Sequence, residues 1–386
     1  MSPAPEFSSE PPVVVKVGSA IVAPRGHLDH ERVSGLAAEM AELYRSEKRR
    51  VVLVSSGAVA CGLRAMRFRG MPEKIADRQA AAAAGQPALI AAWARGFGAH
   101  GLDVAQVLLT ADDIDFRARF VNAHRTLMSL LDAGVVPVVN ENDSVAFDEI
   151  QLGDNDRLSA LVAGLVGAGT LVILSTAPGL CEGGVGGEVI REVRDIDEAR
   201  ANVDSARSAT GVGGMATKLD AAASARAMGI TTVVCSGDEP DAIRRALSDD
   251  HAGTVFRAEG AAVASARKRW IAHKIRTKGT LVVDGGAKAA LEDKGASLLP
   301  KGIVGVEGDA FDAGAAVDIA TDEVVFARGL VSYRRDEIEK IMGRPSSSIA
   351  EVLGYTTCDE VVHRDNLVVF DRAERTRRGG LEGSGQ

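Results

Sequence analysis

The sequence predicts an α/β protein with a mostly parallel sheet sandwiched by helices, followed by a smaller β-rich domain. Short β-branched runs alternate with amphipathic stretches up to about Phe256, the pattern of βαβ units. Aromatic residues make up only 4% of the chain and hydrophobic residues 46%, so Val, Leu, Ile and Ala must build a core like that of covered parallel sheets. After Trp270 the runs become short and are separated by Gly, Asp and Pro, which predicts the second domain.

In the first part, strands are predicted where apolar β-branched residues cluster, and helices where apolar residues recur at helical spacing. The predicted strands are Val13–Val17, Val51–Val54, Val104–Leu109, Val135–Val139, Leu171–Leu174 and Thr231–Val234. The predicted helices are Leu28–Glu47, Ile75–Ala99, Phe116–Ala133, Asp156–Val166 and Thr217–Met228. Ligands of such a sheet are expected beyond the carboxyl ends of its strands.

The second part has five β-type runs and two helical stretches between or beside them. The runs are Thr280–Val283, Ile303–Val306, Ala316–Ile319, Val324–Val331 and Asn366–Phe370, and the helices are Ala287–Lys294 and Asp336–Met342. We expect domains at residues 13–258 and 278–370, a linker at 259–277, and disordered tails at 1–12 and 371–386.

Charge and composition exclude several classes of protein. The net charge of −8 gives no overall attraction to nucleic acid or to an anionic membrane. The four cysteines lie far apart in the sequence, without the spacing of a zinc or redox motif, and the seven histidines show no metal-type spacing. Because the first twelve residues lack an apolar signal region and no apolar run is long enough to span a bilayer, we expect a cytoplasmic protein.

The ends of two predicted strands carry residues that suit an anion. Lys16 lies near the end of the first strand and is followed by Gly18, and a buried lysine is costly unless an anion meets it. Ser56 and Gly57 follow the second strand at a predicted helix start. A lysine that reaches the sheet edge and an ordinary serine cap are the structural alternatives.

Two clusters of acidic and amide residues follow in the sequence. The first, Asn140–Ser144, comes directly after a strand, and the second, Gly153–Ala160, opens a helix. Together they would hold an ammonium group, orient lysines or bind magnesium through water, while a polar turn and a capping Asp are the alternatives.

A glycine-rich segment, Gly211–Lys218, precedes another helix and would suit a polyphosphate, although it lacks the spacing of a Walker A loop. Two lysines and two acidic clusters therefore fall at strand ends or helix starts of one sheet. Phosphoryl transfer needs this combination, because cations neutralise the moving phosphoryl group and acids hold them in place. No Ser-His or Cys-His arrangement favours covalent catalysis.

The motifs resemble those of the amino-acid kinase family, in the branch that carries a C-terminal PUA domain. The segments that carry the resemblance are Lys16–Ser19, Ser55–Ala58, Ala84–Gln86, Gln106–Thr110, Asn140–Asp143, Gly153–Ala160, Gly213–Lys218, Arg267–Ile271, Ser297–Ile303 and Leu353–Tyr355. It implies an amino-acid-kinase-type domain at 13–258 and a PUA-type barrel at 278–370. The implied activity is ATP-dependent phosphorylation of the side-chain carboxylate of L-glutamate to L-glutamyl 5-phosphate, the first step of proline biosynthesis.

The resemblance also implies residue roles. Lys16, Lys218 and Asp156, or its neighbour Asp154, would act in catalysis. Glutamate would be bound by Ser56, Asn140, Asp143 and Asn155. ATP would be bound by Lys16, Gly18, Ser175, Thr176, Val212, Gly213, Gly214, Met215, Ala216, Thr217 and Lys218. Mg²⁺ with ATP, a homo-oligomer and feedback inhibition by proline are implied as well, and no residue is assigned as a metal ligand.

One departure from the family pattern lies after the strand Leu171–Leu174. Where the family has an acidic residue and an aromatic residue, this chain has Thr176 and Cys181, and the segment Glu182–Glu188 is glycine-rich. Altered adenine or ribose contacts and a weaker affinity for ATP are the expectation.

Three alternatives stand beside this interpretation. One is another kinase of the same fold, acting on N-acetylglutamate, aspartate, carbamate or uridylate; Asp143 argues against it, because a free ammonium group needs a carboxylate partner. Another is an RNA-binding protein, but residues 276–386 carry 15 basic against 19 acidic residues, without the basic footprint of RNA binding. The third is a degenerate kinase that acts as a sensor.

Overall fold

The computed structural model describes residues 7–110, 113, 117–145, 154–184, 186–196, 198–200, 214–248, 251–258, 277–321 and 324–370. They form two compact units, one drawn from residues 1–263 and one mainly from residues 264–386. Each unit has its own sheet.

The first unit contains an eight-stranded sheet in the order β3-β4-β2-β1-β5-β7-β8-β6. Its strands are β1 (Val13–Val17), β2 (Val51–Ser55), β3 (Val104–Leu109), β4 (Val136–Glu141), β5 (Thr170–Ser175), β6 (Glu192–Val193), β7 (Thr231–Ser236) and β8 (Thr254–Phe256). Neighbouring strands are parallel except β7 and β8, which are antiparallel. The predicted mostly parallel sheet is confirmed.

The helices that accompany this sheet are α1 (Ser19–Val22), α2 (His30–Ser46), α3 (Ala58–Gly62), α4 (Ile75–Gly98), α5 (Arg117–Asp132), α6 (Asp154–Val166), α7 (Gly214–Ala227) and α8 (Ala242–Leu247). All predicted strands and helices of this part are present, with ends that differ by a few residues. The short elements β6, β8, α1, α3 and α8 were not predicted, because two to six residues are too few for a periodic pattern.

Strand β1 lies at the centre of the sheet and is buried along its whole length. Its residues Val13, Val15 and Val17 pack into the cluster that contains the apolar faces of α2 and α4. Because side chains alternate along a strand, Lys16 points to the other face, where α6 packs against β1 and α7 packs against α6. The fold thus turns a buried lysine toward the starts of two helices.

Two glycines allow α3 and α4 to cross at very short range. A Cβ atom on Gly62 would lie 1.8 Å from the carbonyl oxygen of Ala81, and one on Gly85 would lie 1.9 Å from that of Ala58. Any larger residue would push the helices apart. The crossing therefore determines where α3, and the turn before it, sits above the end of β2.

Part of the predicted N-terminal tail is packed against the first unit. The ring of Phe7 meets that of Tyr44 edge-on at 5.3 Å, and the guanidinium of Arg50 lies 4.8 Å from the Phe7 centroid. The expected tail 1–12 thus ends in a segment with defined contacts, while residues 1–6, the linker residues 259–276 and the C-terminal tail 371–386 lie outside the described residues.

The second unit contains a five-stranded sheet in the order β10-β9-β11-β12-β13. Its elements are β9 (Gly279–Val283), α9 (Gly285–Lys294), β10 (Ile303–Gly308), β11 (Ala316–Thr321), β12 (Val324–Leu330), α10 (Arg335–Ile341), α11 (Ile349–Leu353) and β13 (Leu367–Val369). Only α11 was not predicted. The strand-rich character is confirmed. Among the described residues, the strand pairings form one sheet, and none of them connects its two edge strands, β10 and β13.

None of the described helices combines the length and the apolar character that spanning a bilayer requires. All four cysteines are free thiols. Burial raises the pKa of the Cys61 thiol to about 11, so this group stays protonated and unreactive near neutral pH.

Candidate active site

A cavity of about 1670 Å³ opens at the carboxyl ends of β1, β2, β4 and β5 in the first unit. This is the edge where an α/β sheet presents its ligand site. The predicted site residues that line it are Lys16, Gly18, Ser56, Asn140, Asp143, Asn155, Asp156, Ser175, Thr176, Gly214, Met215, Thr217 and Lys218. Residues from six segments of the chain are thus brought together.

Four predicted site residues are not among those that line the cavity. Ala216 lies in α7 without lining the cavity, and Asp154 begins α6, with a side chain that lies outside the described part of the chain. Val212 and Gly213 also lie outside the described residues. Their proposed roles, like those of the other site residues, stay predictions.

Asp156 is the centre of the charged part of the cavity. Its Oδ1 lies 2.5 Å from Lys16 Nζ, and its Oδ2 lies 3.1 Å from Lys218 Nζ. The Thr217 hydroxyl donates to the same Oδ2 at 2.8 Å. The carboxylate thereby holds two ammonium groups, one from β1 and one from α7, at a single point.

The start of α7 adds a second acceptor for Lys218. Its Nζ donates to the carbonyl oxygen of Gly214 at 3.0 Å, and the Thr217 hydroxyl lies 3.0 Å from the same oxygen. Gly214 itself has open space where a Cβ would stand. The end of the glycine-rich segment therefore contributes backbone to the site.

Burial and charge act against each other in this cluster. Burial lowers the pKa of Lys16, and the nearby Lys218 ammonium lowers it further, while Asp156 opposes the change. For Asp156, burial favours the neutral acid, but the two lysines and their hydrogen bonds outweigh it and hold the pKa of the carboxyl below its usual range. Asp156 is therefore a carboxylate at neutral pH, and it is unsuited to accept a proton.

Two asparagines occupy the other half of the cavity. Asn155 Nδ2 donates to Asn140 Oδ1 at 3.0 Å, and the Glu141 N–H donates to the same oxygen at 2.9 Å. Among the described residues, Asn140 Nδ2 and Asn155 Oδ1 are buried without a hydrogen-bond partner. A buried polar atom that lacks a partner is costly, so one donor and one acceptor are available here to a ligand.

Acidic and hydroxyl groups lie beside these amides. Asp143 follows β4 and is 8% exposed, and Glu141 at the end of β4 is equally buried. Ser56 follows β2, and its N–H donates to the carbonyl oxygen of Val17 at 3.0 Å. Because β2 lies between β1 and β4 in the sheet, this half of the site adjoins the lysine cluster.

The opposite half is formed by the end of β5, the segment after it and the start of α7. Ser175 ends β5 and its carbonyl oxygen accepts from Gly237 N–H at 2.7 Å, and the exposed Thr176 follows it in the cavity wall. Gly18 N–H donates to the carbonyl oxygen of Leu174 at 3.2 Å. This half contains the position where the chain departs from the family pattern.

Sequence reasoning missed two features of the cavity. Exposed basic residues line it at Arg25, Arg64, Arg67 and Arg69, and the run from 64 to 69, with three arginines in six residues, was the available pattern. A buried contact between Ser55 and Trp93 lies directly behind Ser56. No sequence pattern indicated this contact, because Trp93 belongs to the apolar face of α4, where a tryptophan is expected to be an ordinary core residue.

The parallel α/β sheet and the buried cluster of two lysines on one carboxylate fit a phosphotransferase, and comparison with known proteins makes the class specific. The model of the amino acid kinase family matches residues 11–236, and that of the PUA domain matches residues 279–353.

Curated relatives extend over nearly the whole chain. Glutamate 5-kinase of Anaeromyxobacter dehalogenans is 46% identical over 93% of this chain and 96% of its own. Glutamate 5-kinases of Geobacter sulfurreducens and Thermus thermophilus are each 44% identical, covering 93% and 94% of this chain and 97% and 98% of their own. The chain therefore belongs to the amino acid kinase family and, within it, to the family of these glutamate 5-kinases.

Proposed function

We propose that this protein transfers the γ-phosphoryl group of ATP to the side-chain carboxylate of L-glutamate, which yields L-glutamyl 5-phosphate and ADP and opens proline biosynthesis. The observation that carries the proposal is the pair of ammonium groups, Lys16 and Lys218, held on the two oxygens of one buried carboxylate. Membership of the glutamate 5-kinase family supports the choice of substrate.

The reaction needs charge stabilisation more than proton transfer. A glutamate side chain has a pKa near 4.3 and is ionised at pH 7, so its carboxylate oxygen attacks the γ-phosphorus without a general base. The bond to the bridging oxygen of ADP breaks, and the electron pair leaves on ADP. Lys16 and Lys218 would donate to the transferred phosphoryl oxygens, where negative charge is concentrated in the transition state.

Asp156 acts through these lysines. It holds both Nζ atoms before ATP arrives, so their charges need little reorganisation when the phosphoryl group moves. Its own charge reduces the repulsion between the two ammonium groups. We therefore assign Asp156 as a positioning residue, and Lys16 and Lys218 as catalytic residues.

The half of the cavity next to β4 would bind glutamate. Asp143 would pair with the α-ammonium group, and Asn140 Nδ2 would donate to a substrate carboxylate. Asn155 Oδ1 would accept from the ammonium, and the Ser56 hydroxyl would add a further contact. The two buried amide atoms without a partner among the described residues support this arrangement.

The half next to β5 would bind ATP, with Gly18, Ser175, Thr176 and the start of α7 around the nucleotide. Mg²⁺ would accompany ATP and neutralise charge on its β- and γ-phosphates. Both oxygens of Asp156 already form ion pairs with lysine ammonium groups, and the described residues contain no cluster of three metal-binding side chains. The described site residues therefore fit a magnesium ion that is bound by the phosphates of the nucleotide, and not one bound by protein side chains alone.

Two finer properties are proposed from the family resemblance. Proline would compete with glutamate, because its carboxylate and secondary ammonium suit the same amide and carboxylate groups. A homo-oligomer is the expected assembly. Competitive inhibition curves with proline and sedimentation equilibrium test these two properties separately.

Coupled ADP release with Mg-ATP and hydroxylamine tests the main proposal, since hydroxylamine traps an acyl phosphate as its hydroxamate. L-Glutamate is expected to give ADP and the γ-hydroxamate in equal amounts. N-Acetyl-L-glutamate, L-aspartate and UMP serve as matched alternatives. Turnover with one of these three in preference to glutamate, or no turnover with any substrate, would contradict the proposal.

A further inference from the structure

Behind the proposed glutamate site, a buried tryptophan is connected to the substrate turn through a serine. The indole Nε1–H of Trp93 donates to Ser55 Oγ at 2.9 Å, and the Ser55 hydroxyl donates to the carbonyl oxygen of Ser56 at 3.0 Å. Trp93 and Ser55 are both fully buried. The serine hydroxyl therefore uses its single proton on Ser56, because the indole occupies one of its acceptor positions.

This contact determines how the peptide after Ser56 is oriented. The carbonyl group of Ser56 and the N–H of Gly57 belong to one planar trans peptide and point in opposite directions. Drawing the carbonyl oxygen toward Ser55 therefore directs the Gly57 N–H away from it. Gly57 has φ = 112°, a conformation that favours glycine, and no described residue accepts from its N–H.

Helix α4 gives the contact a rigid base. Gly85 of α4 packs against the carbonyl oxygen of Ala58, and Trp93 lies two turns further along the same helix. The ring of Trp93 also contacts that of Phe97 at a centroid distance of 6.2 Å. One helix thus holds the turn at Ser56 and Gly57 from two points.

We propose that Trp93 and Ser55 are positioning residues for the amino-acid substrate, and that the chain Trp93–Ser55–Ser56 orients the peptide that meets its carboxylate. This inference rests on the proposed function of the cavity. It assigns a role in substrate affinity to two residues that do not line the cavity. Among the described residues, the side-chain hydrogen bonds of Trp93 and Ser55 lead to Ser56 and not to the half of the cavity proposed for the nucleotide.

The test compares Trp93→Phe, Ser55→Ala and Ser55→Thr in the full chain. Loss of one hydrogen bond is expected to raise the KM for glutamate roughly three- to tenfold in the first two variants. The KM for Mg-ATP is expected to change less than about twofold, because it depends on the other half of the site. Ser55→Thr retains the hydroxyl and should restore a KM close to that of the wild type.

Phe97→Leu is the matched control, since it removes core packing beside Trp93 and leaves the hydrogen bonds in place. It should lower the melting temperature while the KM for glutamate stays unchanged. If Trp93→Phe and Ser55→Ala behave like this control, with loss of stability and no change in KM, the proposal is wrong. Turnover of glutamate by the wild-type chain, measured first, separates this outcome from failure of the proposed function.

A spectroscopic readout adds a test that does not depend on turnover. The chain has two tryptophans, so in a Trp270→Phe background Trp93 is the only indole. Glutamate binding should change its emission, and the change should be lost in Ser55→Ala at saturating glutamate. An equal change with and without the Ser55 hydroxyl would overturn the proposed connection.

Discussion

Lys16 Nζ lies 2.5 Å from Asp156 Oδ1, and both side chains are almost fully buried. The second oxygen of Asp156 serves Lys218 and Thr217. A charged lysine in the central strand of a sheet is thereby compensated by a carboxylate at the start of a helix. The same contact that makes Lys16 tolerable in the fold places it where a phosphoryl group would be transferred.

Asp156→Asn should impair both catalysis and stability. The change leaves two ammonium groups without their shared counter-ion, and breaking a buried pair in this way costs about 3–5 kcal/mol. We expect kcat to fall by roughly 10²-fold or more, since the lysines lose their fixed positions. Steady-state kinetics and urea unfolding measure the two effects.

Asp220→Asn is the control for that variant. Asp220 pairs with Arg200 on the surface, where both side chains are about half exposed, and such pairs contribute about 0–1 kcal/mol. Wild-type activity and near wild-type stability are expected. An Asp156→Asn enzyme that resembled this control would show that Asp156 does not hold the lysines during the reaction.

Because Asp156 is held as a carboxylate in the folded state, we expect the stability of the protein to fall at acidic pH. The folded-state pKa of Asp156 is lowered, so between that pKa and the unfolded value near 3.8 the unfolded chain binds more protons. Its contribution to stability is therefore complete above the unfolded pKa and is lost as pH falls through the folded pKa. Urea midpoints measured from pH 6 to pH 3 should fall more steeply in the wild type than in Asp156→Asn. Parallel profiles would contradict this assignment.

Gly85→Ala should displace α3 and weaken glutamate binding. The added methyl group would overlap the carbonyl oxygen of Ala58, and overpacking of this kind costs typically about 1–3 kcal/mol. Because Ala58 begins the helix after Ser56 and Gly57, the turn must move with it. The KM for glutamate and the unfolding free energy are the measurements.

Gly98→Ala in the same helix is the matched control. A Cβ there meets no atom within 4 Å, and alanine is the better helix former by up to about 1 kcal/mol. The control should be at least as stable as the wild type, with normal kinetics. If both variants behave alike, the close crossing of α3 and α4 is not what holds the turn.

The sequence predicts those parts of the structure that leave a local pattern, and it misses those that depend on tertiary contacts. The long β-branched runs such as Val13–Val17 gave the strands at nearly their observed ends, because burial of both faces leaves an uninterrupted apolar pattern. Lys16, Asn140 and Asp156 were predicted as one site because strand ends and helix starts converge at one edge of a parallel sheet.

The remaining features arise from tertiary contacts that leave little local pattern. The strands β6 and β8 exist through pairing with each other and with β7. The contact of Trp93 with Ser55 joins residues 38 positions apart, and a tryptophan on an apolar helix face has the same pattern whether or not its N–H has a role. The crossing at Gly62 and Gly85 likewise depends on a partner helix.

Thr176→Asp should strengthen the affinity for ATP. Thr176 is an exposed residue in the half of the cavity proposed for the nucleotide and stands where the family pattern has an acidic residue, which would accept hydrogen bonds from the nucleotide. We expect the KM for ATP to fall severalfold, with the KM for glutamate as the internal control. An unchanged KM for ATP would show that this position does not contact the nucleotide.

Arg64, Arg67 and Arg69 should make the enzyme sensitive to salt. All three are exposed and line the cavity, whereas the chain as a whole has a net charge of −8. A local positive field attracts anionic substrates, and salt screens it over about 10 Å at 0.1 M. The value of kcat/KM should therefore fall severalfold between low and high ionic strength. Changing all three to Gln should lower kcat/KM at low salt and flatten its dependence on ionic strength, with kcat little affected.

A triple variant of Arg45, Lys48 and Arg95 is the matched control. These residues are exposed outside the cavity, so the variant removes the same charge and should keep the wild-type dependence of kcat/KM on salt. Equal slopes in the two triple variants would mean that net charge, and not the cavity arginines, governs the effect.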